Sequence, residues 1–217
     1  MAATAVRYLR SVSTAPVNAA SAGAAGTDAG APSAPYEAHP RPELRAVRQG
    51  ERPPLDPGEF RRVLGHFATG VTVVTAQDDD GPAGFACQSF SSLSLDPPLI
   101  AFMVGRTSTT WPRIARAGSF CVNVLGEEQG ELCRGFAVSG ADKFAGVTHR
   151  PAPVSGAPLL AGTTAWVDCA VHAVHTGGDH LIVVGRVTAL GAEADGDPLV
   201  FHRGAFRRLE KDGATPS

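Results

Sequence analysis

Between Gly70 and Arg203 the chain breaks into seven short β-branched and apolar runs, each bounded by Gly, Pro or Asp, and this rhythm leaves few folds open. The runs are 70–76 (GVTVVTA), 83–89 (AGFACQS), 99–104 (LIAFMV), 119–125 (SFCVNVL), 165–175 (AWVDCAVHAVH), 180–190 (HLIVVGRVTAL) and 198–203 (PLVFHR). Segments with helical character between them are short: Pro112 to Ala117 closed by Gly118, Glu127 to Phe136, and Ala141 to Phe144. A regular strand-helix alternation, which a Rossmann sheet needs, is missing, so the expected class is mainly β with short helices, a barrel or a sandwich. The clearest hairpin spans 165–190 and turns at His175 to His180. On its first strand Val167, Cys169, Val171 and Ala173 are expected on the buried face and Asp168, Ala170 and His172 on a more polar one.

The folded unit is expected over residues 55–209. Residues 1–54 are rich in Ala, Ser, Gly and Pro and carry few large apolar side chains, so they are expected to be a disordered extension. Residues 210–217 are expected to be a flexible tail. At the boundary Asp56 can cap a helix with Pro57 at its first position and Glu59 closing a capping box. Phe60, Val63, Leu64 and Phe67 then recur at helical spacing, which predicts an amphipathic helix of about ten residues with its apolar side toward the core.

Charge excludes several classes of partner. The formal net charge is −2, so no overall basic field draws the chain to nucleic acid or anionic lipid. No apolar run reaches the roughly 18 residues needed to span a bilayer. Cys87, Cys121, Cys133 and Cys169 are widely spaced and apolar-flanked, which reads as structural thiols in a reducing cytoplasm, and no metal site is expected. The basic start, with Arg7 and Arg10, lacks the continuous apolar core of a secretory signal.

Chemistry concentrates in a few places. Residues 88–98 put four serines within six positions and end in Asp96-Pro97-Pro98; such a segment either binds a phosphate or ring edge or is an ordinary polar loop. Arg106-Thr107-Ser108-Thr109-Thr110 precedes the helix at Pro112 and reads equally as an anion site or as plain capping. The two clusters belong to consecutive strands, which are expected to be neighbours. His180 follows Gly177-Gly178-Asp179 at a turn; it is either a solvated side chain or a hydrogen-bond donor to a ligand, oriented by nearby backbone. His202 and Arg203 carry the same two readings, and Arg203 suits a phosphate because guanidinium forks onto oxyanions. His66, His149, His172 and His175 read as structural or surface residues, and Trp111 and Trp166 as packing. The Walker and GxGxxG phosphate motifs, the GxSxG elbow and HExxH are all absent.

A family resemblance rests on several of these blocks together. Phe60-Arg61-Arg62-Val63-Leu64-Gly65-His66-Phe67-Ala68-Thr69-Gly70-Val71-Thr72-Val73-Val74-Thr75 resembles the opening of the flavin reductase-like family. So do Gly84 to Phe90, Ser94 to Pro98, Phe120 to Leu125, Asp142-Lys143-Phe144-Ala145-Gly146, Gly178-Asp179-His180 and Phe201-His202-Arg203-Gly204, in the same order and spacing over residues 56–209. The likeness is greatest to reductases that serve aromatic-ring hydroxylases. It implies an FMN-binding split β-barrel and a homodimer. It further implies that Pro82, Ala83, Gly84, Phe85, Ala86, Gln88 and Ser89 lie along the isoalloxazine ring. By the same resemblance Met103, Val104, Gly105, Arg106, Thr107, Ser108, Thr109 and Thr110 wrap the ribityl phosphate, and Lys143 is a further cofactor contact. Asp179 and the catalytic His180 are implied at the nicotinamide and the reactive side of the flavin. Phe201, His202, Arg203 and Gly204 are implied to meet NADH.

The function implied is NAD(P)H-dependent reduction of exchangeable FMN or FAD, the product passing to a separate flavin-dependent monooxygenase. NADH is expected rather than NADPH, because no second Arg/Lys cluster awaits a 2′-phosphate. Gln88 stands where many relatives have Asn, which leaves both flavins open. A non-catalytic flavin-storage or flavin-sensing protein on the same barrel is the alternative.

Overall fold

In the computed structural model, which describes residues 55–140, 142–192 and 196–210, helix α1 (Pro57–Leu64) starts as its sequence dictates. Asp56 accepts the Glu59 amide at 2.8 Å, but Glu59 does not close a capping box; its carboxylate is taken by Arg62 at 2.7 Å. The helix is shorter than expected and is not core-facing. Phe60 is 52% exposed and Phe67 beyond it 77%, because none of the described residues buries that side.

Seven strands form one antiparallel sheet in the order β3 (Gly81–Cys87), β2 (Thr72–Asp78), β6 (Ser119–Val124), β9 (Ala165–Gly177), β10 (His180–Ala192), β5 (Pro98–Gly105) and β4 (Phe90–Leu95). All neighbouring strands pair antiparallel, and short turns join β2 to β3, β4 to β5 and β9 to β10, while longer segments with helices connect β5 to β6 and β6 to β9. β3 and β5 are consecutive only in the reading of the sequence. β4 intervenes, and the two strands lie toward opposite ends of the sheet. They still meet as the sheet rolls: the Cys87 thiol at the end of β3 lies 3.8 Å from the Met103 carbonyl of β5, and Ser89, in the link between β3 and β4, bonds Met103 one step beyond the Phe90–Phe102 pair. This seam lies where the rolled sheet brings β3 against β5. The serine-rich stretch is therefore an edge strand and not a loop, joined to β5 by a turn whose Asp96–Pro97 peptide is cis.

A smaller sheet, β1 (Thr69–Gly70), β11 (Val200–His202) and β12 (Ala205–Arg207), flanks the barrel, and a ribbon of β7 (His149–Pro151) and β8 (Pro158–Leu160) covers part of it. Val71 is the joint between sheets, donating to Leu199 at 3.1 Å and accepting from Leu125 at 3.0 Å. Helix α2 (Trp111–Ala117) ends at Gly118, whose φ of 71° only glycine adopts freely. Helix α3 (Gly130–Ala137) begins later than expected, and Lys143 to Gly146 form a turn where a helix was expected; Ala141 lies outside the described residues. The extension over 1–54 and residues 211–217 of the expected tail also lie outside them.

Inside the barrel Phe102 packs edge-on against Trp111 and Phe120, with Ile114, Val122 and Val183 around them. A second cluster of Val71, Val73, Leu125, Phe136, Leu160 and Leu199 sits under α3. Asp168 corrects the expected polar face. It is fully buried and its carboxylate accepts the amides of Val154 and Ser155 at 2.9 and 3.0 Å. Beyond it a register shift around His172 sets Val174, in place of Ala173, toward the core. All four cysteines are buried free thiols; desolvation raises the pKa of Cys87 and Cys133 and pushes Cys121 and Cys169 up to about 12.

Candidate functional site

The end of β3 runs along the edge of the sheet, so one row of its peptide groups faces away from β2 and is open to a ligand. The Ser89 hydroxyl fixes what comes next: it accepts from the Met103 amide at 3.1 Å and donates to the Met103 carbonyl at 2.9 Å. Ser89 thereby spends its hydrogen-bonding capacity on the barrel seam, leaving Gln88, which is exposed, to reach outward. Next to the seam lies a groove of about 920 Å³. Its walls are Phe85, Ala86 and Cys87 of β3, Met103, Val104 and Gly105 of β5, and residues of α3 and the β11–β12 hairpin.

The β9–β10 turn places the imidazole at one end of this groove. Gly178 takes a φ of 68°, which closes a two-residue loop and sets His180 opposite Gly105. His180 is oriented by a side chain and not, as expected, by backbone. Its Nδ1 lies 2.7 Å from the Asp179 carboxylate, and that contact holds the Asp179 carboxyl below its ordinary pKa. The other ring nitrogen is over Gly105, where an added Cβ would lie 4.0 Å from it. The Asp179 carbonyl accepts the Arg106 amide at 2.9 Å, which ties the turn to the segment after β5.

Of the predicted contacts, the groove gathers Phe85, Ala86, Gln88, Ser89, Met103, Val104, Gly105, Ser108, His180, Phe201 and Gly204. A second depression of about 600 Å³, beyond β3, takes Pro82, Ala83, Gly84, Thr109, Thr110 and Lys143. Arg106, Thr107, Asp179, His202 and Arg203 line neither. Arg203 sits at a hairpin tip with a φ of 51°, donating its amide to Gly65 at 2.9 Å, and His202 stacks edge-on against His66. Ser108 resolves the hydroxyl cluster before α2 in part as capping, since its hydroxyl accepts the Trp111 amide at 3.1 Å.

The cations of the second depression are held by their own chain. Lys143 donates to the carbonyls of Gly84 and Phe136 at 3.2 and 3.0 Å, and partial burial lowers its pKa. Arg113 forks onto Asp78 and also reaches the Gly81 and Pro82 carbonyls. Gly84 is required by packing: an added Cβ would come within 2.9 Å of Phe136.

Sequence reasoning missed Val71, Cys87, Cys133, Arg134, Ala137, Ala205 and Phe206, all on the groove wall. A tight turn at Arg203-Gly204 between Val200-Phe201-His202 and Ala205-Phe206-Arg207 was the signal for β12 and Phe206. Arg134 and Ala137 sit three apart on α3, a helix face that a later start for that helix would have set toward the groove.

A slot walled by apolar side chains and open peptide edges, with hydroxyls at the seam and one imidazole at its end, suits a flat heteroaromatic ring with a polar edge. The site and the rolled antiparallel sheet together define a flavin-handling split barrel. The Flavin reductase like domain matches residues 64–210, and the chain belongs to that family. It is 48% identical over 163 residues to the flavin-dependent monooxygenase reductase subunit HsaB of Rhodococcus jostii, covering 75% of this chain and 83% of the relative. The structure of nitrilotriacetate monooxygenase component B from Mycobacterium thermoresistibile aligns with a TM-score of 0.70 at 45% identity, over 74% of this chain and 90% of that one. The NADH:FAD oxidoreductase SgcE6 of Streptomyces globisporus, solved in complex with NAD and FAD fragments, aligns with a TM-score of 0.69 at 38% identity, over 74% and 99%.

Proposed function

We infer that this chain is an NAD(P)H:flavin oxidoreductase that reduces FMN or FAD and supplies the reduced flavin to a partner monooxygenase. The observation that carries the reading is the convergence of the β3 edge, the Ser89–Met103 seam, His180 and the β11–β12 hairpin on one groove of about 920 Å³. The chemistry supplied by the bound groups is hydride transfer from a dihydronicotinamide to the flavin ring. The chain's part is to hold two rings in contact and to meet negative charge as it arrives. Peptide groups along Phe85 to Cys87 support the ring edge, and His180, steadied by Asp179, is the donor at the reacting end. Few fixed charges line the groove, which fits a flavin that must leave after reduction.

NADH is the proposed donor in preference to NADPH. The proposed assembly is a homodimer, supported by the apolar side of α1, which no described residue covers and where Phe60, Val63, Leu64 and Phe67 stand exposed. The buried, reduced cysteines support the cytoplasm as its compartment. No helix among the described residues is long and apolar enough to cross a membrane. Mixing the protein with each flavin and each reduced nicotinamide, and following absorbance at 340 nm, tests the reading. Rapid loss with NADH is expected. Flavin that stays tightly bound and oxidised would favour a storage protein.

A further inference from the structure

Helix α3 lays one residue across the groove that the mechanism above does not use. Arg134 stands in its last turn, with its guanidinium carbon 5.1 Å from the centre of the Phe206 ring. Phe206 is itself fixed: it meets Phe201 edge-on at 5.6 Å, and it lies so near α3 that an added Cβ on Gly130 would come within 3.3 Å of it. The ring therefore presents the guanidinium over the hairpin side of the groove in a set place. Among the residues lining this groove, Arg134 is the one permanent cation.

Its present partner is weak. Arg134 pairs with Glu131 one turn earlier on the helix, where the two side chains are 60% and 87% exposed. A pair that open to water contributes little, and a better oxyanion can displace it. Lys143 and Arg113 differ, because both are bound to backbone carbonyls of their own chain.

We propose that Arg134 leaves Glu131 to bind the diphosphate of the nicotinamide dinucleotide, and so determines how tightly the hydride donor is held. This rests on the reductase reading. A dinucleotide whose nicotinamide reaches His180 must place its diphosphate along the same groove, and a guanidinium forks onto phosphate oxygens as an ammonium does not. The groove is shared with residues assigned to the flavin, but within it Arg134 lies against Phe206 of the β11–β12 hairpin, the element assigned to the donor. Thr109 and Thr110, of the segment assigned to the flavin phosphate, line the second depression, so Arg134 is assigned to the donor. Glu131 then acts as a competitor that keeps donor affinity moderate.

Equilibrium titration of NAD+ into the flavin-loaded protein tests this apart from turnover. Arg134→Gln is expected to weaken NAD+ about tenfold and to flatten the salt dependence of its binding, with the flavin dissociation constant changed less than about twofold. Arg134→Lys is expected to keep part of the affinity. Glu131→Gln is expected to tighten NAD+ by a few-fold. In turnover, the ratio of kcat/KM for NADH to that for the phosphate-free donor 1-benzyl-1,4-dihydronicotinamide should fall about tenfold in Arg134→Gln. Unchanged NAD+ affinity in Arg134→Gln, an equal loss with both donors, or a shift in flavin affinity instead, would overturn the assignment. A protein that binds flavin and NAD+ yet transfers no hydride would sink the reductase reading while leaving the Arg134 contact intact.

Discussion

The Ser89 hydroxyl bonds both peptide groups of Met103, one as acceptor and one as donor, at 3.1 and 2.9 Å. Ser89, in the link between β3 and β4, thus extends the β4–β5 pairing by one step and forms a wall of the groove in one contact.

Ser89→Ala should therefore loosen fold and site together. Loss of the two bonds is expected to cost about 1–2 kcal/mol, which lowers Tm by roughly 3–6 °C in a domain of this size. Flavin affinity should fall in parallel. Differential scanning calorimetry with a flavin titration checks both, and an unchanged Tm would show that the seam is held by other contacts.

His180→Ala should separate binding from reaction. With the imidazole gone but the Phe85–Ser89 wall intact, stopped-flow flavin reduction is expected to slow by about a hundredfold while the flavin dissociation constant moves less than about threefold. Asp179→Asn, which keeps a hydrogen-bonding partner for the ring, should slow the step less. Equal losses in both quantities for His180→Ala would make it a binding residue.

Gly185 faces the barrel core with no room for a methyl group. An added Cβ would meet Phe120 at 2.5 Å and Ile100 at 3.0 Å, so Gly185→Ala is expected to destabilise by about 3 kcal/mol. Gly135→Ala, on the open side of α3 with nothing within 4 Å, should instead stabilise by up to about 1 kcal/mol. Urea midpoints of the two variants give the comparison.

Asp78 gives stability a dependence on acid. The Arg113 guanidinium, 2.5 Å away, holds its carboxyl below the ordinary carboxylate range, with Arg116 adding to the effect. A depressed native pKa means that the stabilisation is present above the unfolded value near 4 and is lost as pH falls through the native one. Asp78→Asn is expected to cost about 2 kcal/mol at pH 7 and to shrink the difference in Tm between pH 7 and pH 3. A variant whose Tm falls just as steeply on acidification would show that other carboxylates set the slope.

The strands were legible because Val, Ile and Phe alternate or run together in short stretches bounded by Gly and Pro, and a rolled antiparallel sheet needs little more. The strand ending near Phe85 to Ser89 and the position of His180 after its Gly-Gly turn were legible for the same reason, since turn chemistry marked where strands end. The assignment of these residues to a flavin came only from the family resemblance. What stayed hidden was set by tertiary contact. Asp168 reads as outward-facing until the 154–155 amides arrive to bury it, and β4 reads as a loop because its serines pair only at a sheet edge. The apolar side of α1 looks like core in any helical projection, and only the packing shows that the described residues do not cover it. Arg134 could not be placed without knowing that Phe206 lies beneath it.

The buried thiols bear on a hazard of the proposed chemistry. Reduced flavin that meets oxygen before reaching an acceptor yields hydrogen peroxide, and peroxide attacks thiolates far faster than protonated thiols. Cys87 lines the groove, yet it and the other three cysteines are buried with their acidity suppressed. The chain is thus a poor target for the oxidant its own leakage would generate, and after aerobic cycling all four sulfhydryls should still titrate once the protein is denatured.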